Sequence, residues 1–132
     1  MNNDFPSLFR LAKNVSKLSQ HPKHKLGAVL VVNGKPVSVG HNQHKSHPEA
    51  KYTGLHAEIQ ALKSSGKERI KGSSIFVYRE KKNGSIGMSK PCKDCMSKLI
   101  KFGVKWVFYT IEEYPYFEVI KLKKEHNFDE YY

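Results

Sequence analysis

The chain has only two cysteines in 132 residues. That is too few for a disulfide framework, and a bridge across a Cys-x-x-Cys would close too small a loop to stabilise much. Metal or redox chemistry is therefore the better reading of the pair. No apolar run approaches the length of a membrane span, and Met1-Asn2-Asn3-Asp4 is polar and acidic where a secretory signal needs basic and then apolar residues. These absences lead us to expect a soluble protein of a reducing compartment, the cytoplasm, with no membrane partner. Acid is scarce as well: 12 acidic residues face 23 lysines and arginines, for a net charge of +11. Such a surface attracts phosphate-bearing molecules, whether nucleotides or nucleic acid, although a lysine-rich surface kept for solubility accounts for the charge equally well. Internal repeats, linkers and low-complexity segments are also missing. The length suits one core, so residues 1–132 are expected to form a single domain with one site.

What is present alternates between two periodicities. Asp4 and Phe5-Pro6-Ser7 signal a helix start, and Phe5, Leu8, Phe9, Ala12, Val15 and Leu18 follow helical spacing, which predicts a helix over Phe5–Ser19. Leu26–Val32 is a nearly continuous apolar strand, as expected for burial on both faces. Asn33-Gly34 marks a hairpin turn, with Pro36–Gly40 returning antiparallel. A polar stretch from His41 to Gly54 precedes a second helix over Leu55–Ser65, with Gly66 as its C-cap. Ser73–Glu80 is a third strand, and Lys81–Lys90 is a basic loop or hairpin. Cys92–Phe102 reads as a third helix capped by Gly103, followed by a strand over Val104–Ile111. Phe117–Lys124 is compatible with a fifth strand or a fourth helix. The order implies an α/β fold with right-handed crossovers and a sheet that is at least partly parallel.

The chemistry gathers at two helix starts. Pro91-Cys92-Lys93-Asp94-Cys95 offers two thiolates from one turn, and His56, at the head of the preceding helix, adds an imidazole. Zinc held by one imidazole and two thiolates keeps a fourth position for water, whose pKa the metal lowers toward neutrality. Glu58, two residues beyond His56, points away from that ligand set and is placed to move protons. A thiol-redox protein would use Cys92 and Cys95 without His56. A structural zinc site would need a fourth protein ligand, and there is no third cysteine. His21, His24, His44 and His47 read as loop residues.

Together, His56-Ala57-Glu58 and Pro91-Cys92-Lys93-Asp94-Cys95 resemble the H-x-E…P-C-x-x-C signature of the zinc-dependent cytidine/deoxycytidylate deaminase superfamily. The similarity extends over Phe5 to Ile111. Gly27–Val31 resembles the first strand of that superfamily, and Gly40-His41-Asn42 resembles the G-x-N that ends its second. The resemblance implies a three-layer cytidine deaminase-like fold, with a mixed sheet of about five strands and helices on both faces. It further implies one zinc per chain on His56, Cys92 and Cys95, with Glu58 as the catalytic proton carrier. Asn42 is then expected on the sugar, Ala57 and Pro91 among the substrate-binding residues, and the chain in a homo-oligomer. Apart from the resemblance, His24 or Lys25 in the basic loop is a candidate for a phosphate contact. The implied reaction is hydrolytic deamination at C4 of cytosine or C6 of a purine, releasing ammonia.

Substrate identity has two candidates. The segment Asn42–His56, with His47-Pro48, resembles small phage-type deoxycytidylate deaminase-like proteins, and Lys90 stands where tRNA adenosine deaminases usually carry glutamate. The first feature favours a dCMP-like nucleotide; the second weakens the tRNA reading and also leaves the usual serine of many nucleotide enzymes absent. The charge, together with Tyr114, Tyr116 and Phe117, would suit single-stranded DNA or RNA. A catalytically inactive nucleic-acid-binding protein of the same fold is the non-enzymatic alternative, against which the presence of Glu58 speaks.

Overall fold

The computed structural model describes residues 6–21, 24–42, 56–65 and 70–123. In chain order its elements are α1 (Leu8–Ser16), β1 (Lys25–Val32), β2 (Lys35–His41), α2 (Ala57–Ser64), β3 (Ser74–Glu80), β4 (Ile86–Gly87), α3 (Lys93–Phe102), β5 (Trp106–Thr110) and β6 (Phe117–Lys121). The main sheet has the order β2-β1-β3-β5-β6, with the two-residue β4 paired to the end of β3. The β1–β2 hairpin turns at Asn33 and Gly34, with φ of 53° and 78°. These two residues tolerate the left-handed conformation that a tight hairpin with the right twist requires. The β3–β5 pair is parallel and the other pairs are antiparallel, so the sheet is mixed.

The sheet lies between two helical layers. On one face α1 buries Phe9 and Ala12 against Val29, Val31, Phe76 and Tyr78, and the Phe9 ring meets Phe76 edge-on at 5.3 Å. On the other face α2 and α3 bury Ala57, Ala61, Leu62, Met96 and Leu99 against Ala28, Leu30, Ile75, Val77 and Val107. Successive side chains of a strand point to opposite faces, so β1 feeds both cores, as its apolar run requires. Two glycines let the helices approach. A Cβ on Gly27 would lie 2.1 Å from the Ala12 carbonyl oxygen in α1, and one on Gly40 would lie 2.3 Å from the Ala57 carbonyl oxygen in α2. Ser38 Oγ donates to the Ala61 carbonyl at 2.7 Å, and Gln60 Oε1 accepts from the His41 amide at 2.6 Å. The first turn of α2 is thereby fixed over the end of β2.

Several expected boundaries shift. The first helix begins at Leu8 and ends at Ser16, shorter than Phe5–Ser19, and Leu18 is therefore 62% exposed rather than in the core. The fourth long strand starts at Trp106, because the Val104 amide bonds the Leu99 carbonyl and completes the end of α3. Gly103 caps α3 in the left-handed conformation, as expected. The basic segment 81–90 is a hairpin closed by β4. The ambiguous tail is a strand: β6 pairs antiparallel with β5 from Phe117 to Lys121. Asp4, Phe5, Leu55, Gly66, His44 and His47 lie outside the described residues.

Candidate active site

His56 is the N-cap of α2 and Cys92 the N-cap of α3, both in extended backbone conformation. Cys95 follows in the first turn of α3, and its amide donates to Cys92 Sγ at 3.5 Å. The two helix starts meet side by side. His56 Nδ1 lies 3.1 Å from Cys95 Sγ and 3.8 Å from Cys92 Sγ, and the three ligand atoms all fall within 4.8 Å of one another. An ion bound tetrahedrally with the usual zinc–sulfur and zinc–nitrogen distances would set the nitrogen and sulfurs about 3.5 Å apart. The two observed distances bracket that value. Among the described residues this is the group of histidines, cysteines and carboxylates able to hold a metal ion.

The surroundings fit the same ion. Glu58, in the first turn of α2, is only 3% exposed. Burial raises its carboxyl pKa, partly offset by a backbone hydrogen bond and the charge of His56. Cys95, also 3% exposed, has its thiol pKa pushed up. Burial is the first cause, the charges of Glu58 and Cys92 and a hydrogen bond to Cys92 add to it, and Lys98 opposes them weakly. A divalent cation would reverse that balance by favouring the thiolate and offsetting the nearby carboxylate. Cys92 is exposed while Cys95 is buried, so the group has one side open to solvent.

The remaining residues singled out by the sequence divide between the two faces. Asn42 borders the open end of β1: its Oδ1 accepts from the Leu26 amide at 2.9 Å, and its Nδ2 donates to the His24 carbonyl at 2.6 Å. This leaves the amide one donor and one acceptor for other use. Ala57 and Pro91 are fully buried, with Ala57 inside the apolar cluster of α2 and α3. His24 is exposed and its Nδ1 sits 2.5 Å from Arg79 Nη2. Lys25 is not brought to this group by the strand. It alternates with Leu26, which packs on the zinc-side cluster, and so belongs to the α1 face.

Sequence reasoning passed over Arg79, treating it as the ordinary end of a strand. Its parity with Ile75 and Val77 was the available signal, since those residues line the α2/α3 face. Buried polar groups beneath it were also missed. Thr110 Oγ1 lies 2.7 Å from the Gly87 carbonyl and 2.8 Å from Ser89 Oγ, and Ser89 Oγ donates to the Val77 carbonyl at 2.6 Å. This network ties the 81–90 hairpin to the ends of β3 and β5, just ahead of Pro91 and Cys92. Tyr114, 69% exposed, stacks edge-on with Tyr116 at 6.0 Å beyond the same end of β5.

Comparison with known proteins places this arrangement. The family model for the cytidine and deoxycytidylate deaminase zinc-binding region matches residues 3–111. The dCMP deaminase of cyanophage S-TIM5, solved in apo form and with dCMP and dUMP, is 30% identical in its apo structure, with 80% of each chain covered and a TM-score of 0.61. Cytidine deaminase from Burkholderia pseudomallei is 25% identical, with 86% of this chain and 89% of that one covered and a TM-score of 0.65. The riboflavin biosynthesis protein RibD of Aquifex aeolicus is 34% identical over 87 residues, which is 66% of this chain and 21% of the relative. The chain spans between 21% and 25% of the length of the RibD proteins it matches.

Proposed function

We propose that this chain, which belongs to the zinc-dependent cytidine and deoxycytidylate deaminase family, converts a dCMP-like cytosine nucleotide to its uracil form and releases ammonia. It is a zinc-dependent deaminase with the three-layer fold of its neighbours. The choice of nucleotide is our own reading. One observation carries it: the 30% identical S-TIM5 dCMP deaminase aligns over 80% of both chains.

The ligand roles follow from the donor set. His56 Nδ1 and the sulfurs of Cys92 and Cys95 hold the zinc. When bound, zinc acts as a Lewis acid that makes water a competent nucleophile near neutral pH. Glu58, shielded from bulk solvent, takes a proton from the attacking water and delivers it to the ring nitrogen beside C4. It then relays a proton to the departing amine, so that the C4–N bond breaks, a C4 carbonyl forms and ammonia leaves. Pro91 and the backbone of Ala57 border the base, and Asn42 offers its remaining amide donor and acceptor to the sugar. The pocket is housed in one domain, in a self-associating protein of the cytoplasm, where two free thiols stay reduced.

A second reading has an observation of its own. Three curated relatives between 31% and 35% identical are RibD proteins, which favours a pyrimidine of riboflavin biosynthesis as substrate. The decisive experiment is an ammonia-release screen of purified, zinc-loaded protein against dCMP, dCTP, deoxycytidine, adenosine, RibD-type aminopyrimidine, and single-stranded DNA and RNA. We expect dCMP to be converted fastest. Conversion of only the aminopyrimidine, or only of polynucleotide, would replace the dCMP assignment.

A further inference from the structure

We infer that Arg79, with His24 beside it, receives the 5′-phosphate of the substrate, an assignment that rests on the nucleotide reading above. Arg79 lies near the end of β3, two residues beyond Val77 and opposite Leu26 in the register. Val77 and Leu26 both belong to the cluster under α2 and α3. Strand alternation therefore projects Arg79 onto the face that carries the zinc ligands. Its Nη1 donates to the Met88 carbonyl at 3.5 Å. Met88 precedes Cys92 by four residues, which can span at most about 14 Å of extended chain.

The guanidinium is underused where it sits. Arg79 is half-buried, and its Nε is buried without a hydrogen-bond partner. Among the described residues no carboxylate forms an ion pair with it, whereas its neighbour Lys81 pairs with Glu112. The Glu112 carboxyl is held low by Lys81 first and by Arg79 only as a lesser influence. Of these two cations, Lys81 is paired with a carboxylate and, among the described residues, Arg79 is not. A guanidinium with five donors and no acceptor suits the oxygens of a phosphate better than any neutral group, and it binds them in a fixed fork.

His24 extends the receptor. Arg79 can only donate, so His24 Nδ1, 2.5 Å from Nη2, acts as the acceptor. The ring hydrogen then sits on Nε2, a second donor at the same rim. The Asn42 amide holds the backbone of His24 and Leu26 and so couples the sugar side of the pocket to its phosphate side. A purely structural Arg79, pinning Met88 and His24, is the competing account. It would affect stability and all substrates alike.

The test compares kcat/KM for dCMP with that for deoxycytidine in the wild type, Arg79→Gln, Arg79→Lys and Lys81→Ala, each checked for zinc content. The dCMP-to-deoxycytidine ratio should fall at least tenfold in Arg79→Gln, fall less in Arg79→Lys, and stay unchanged in Lys81→Ala. An unchanged ratio in Arg79→Gln overturns the assignment, as does equal loss on both substrates. If Arg79→Gln does not fold, the same ratio in Arg79→Lys decides. Inorganic phosphate provides a probe independent of the base. Saturable broadening of its ³¹P resonance by the wild type, lost in Arg79→Gln, supports the receptor, and broadening that is absent or survives the substitution sinks it. A wild type inactive on dCMP would defeat the nucleotide reading while the phosphate titration still decides the role of Arg79.

Discussion

The two faces of the sheet are built alike and used differently. Each helical layer is admitted by a glycine where a Cβ would collide with helix backbone, Gly27 under α1 and Gly40 under α2. On the α1 side that closeness produces only packing: Phe9 is fully buried and the contacts are apolar and aromatic. On the other side it fixes the start of a helix whose first residues are His56 and Glu58. The starts of α2 and α3 then bring an imidazole and two sulfurs within one coordination shell. The contrast teaches that close packing is general to this sheet, while chemistry appears where packed helices present their N-termini to the same end of it.

That contrast can be broken in several ways. The largest effect is expected on the zinc face without any change of fold: Glu58→Ala should keep its zinc and lose turnover by roughly 10² to 10⁴. Undiminished ammonia release from that variant would refute the proton-carrying role. On the α1 face Phe9→Ala should lower unfolding stability by about 3–5 kcal/mol. The folded fraction should still bind zinc, and chemical denaturation alongside metal analysis checks both expectations.

The paired glycines sharpen the comparison most. Gly40→Ala and Gly27→Ala each force a Cβ against helix backbone, and each should cost about 1–3 kcal/mol. Only Gly40→Ala, which displaces the first turn of α2, should also weaken zinc retention in a chelator competition. Equal metal loss in both variants would show that the two faces are not separable. The smallest effect is expected at the exposed Lys81–Glu112 pair: Lys81→Ala should leave thermal stability and dCMP turnover unchanged, since surface ion pairs contribute little.

The elements legible in the sequence are those set by local signals. The Asn33-Gly34 turn, the Gly103 cap of α3 and the apolar run of β1 each announce themselves within a few residues, and each appears where expected. His56, Cys92 and Cys95 were legible as well, because few chemistries use one imidazole and two thiols at helix starts. The rest depended on tertiary pairing. Phe117–Lys121 becomes a strand because β5 offers it an edge, and its own composition permits either state. The early end of α1 at Ser16 leaves Leu18 in solvent although it continues the apolar spacing. Lys25 takes the α1 face and Arg79 the face of the α2/α3 cluster, a division the sequence does not announce, since the face a strand residue takes follows from register, which only the assembled sheet determines.

The central claim is that the meeting of α2 and α3 is a catalytic zinc centre acting on a cytosine nucleotide. Its most direct test is dCMP turnover as a function of zinc occupancy in metal-stripped protein refilled stepwise. We predict that ammonia release rises in proportion to bound zinc and saturates at one ion per chain, and that His56→Ala neither retains the ion nor recovers activity. Turnover independent of zinc, or zinc-free wild-type protein in which Cys92 and Cys95 form a reversible disulfide, would contradict it.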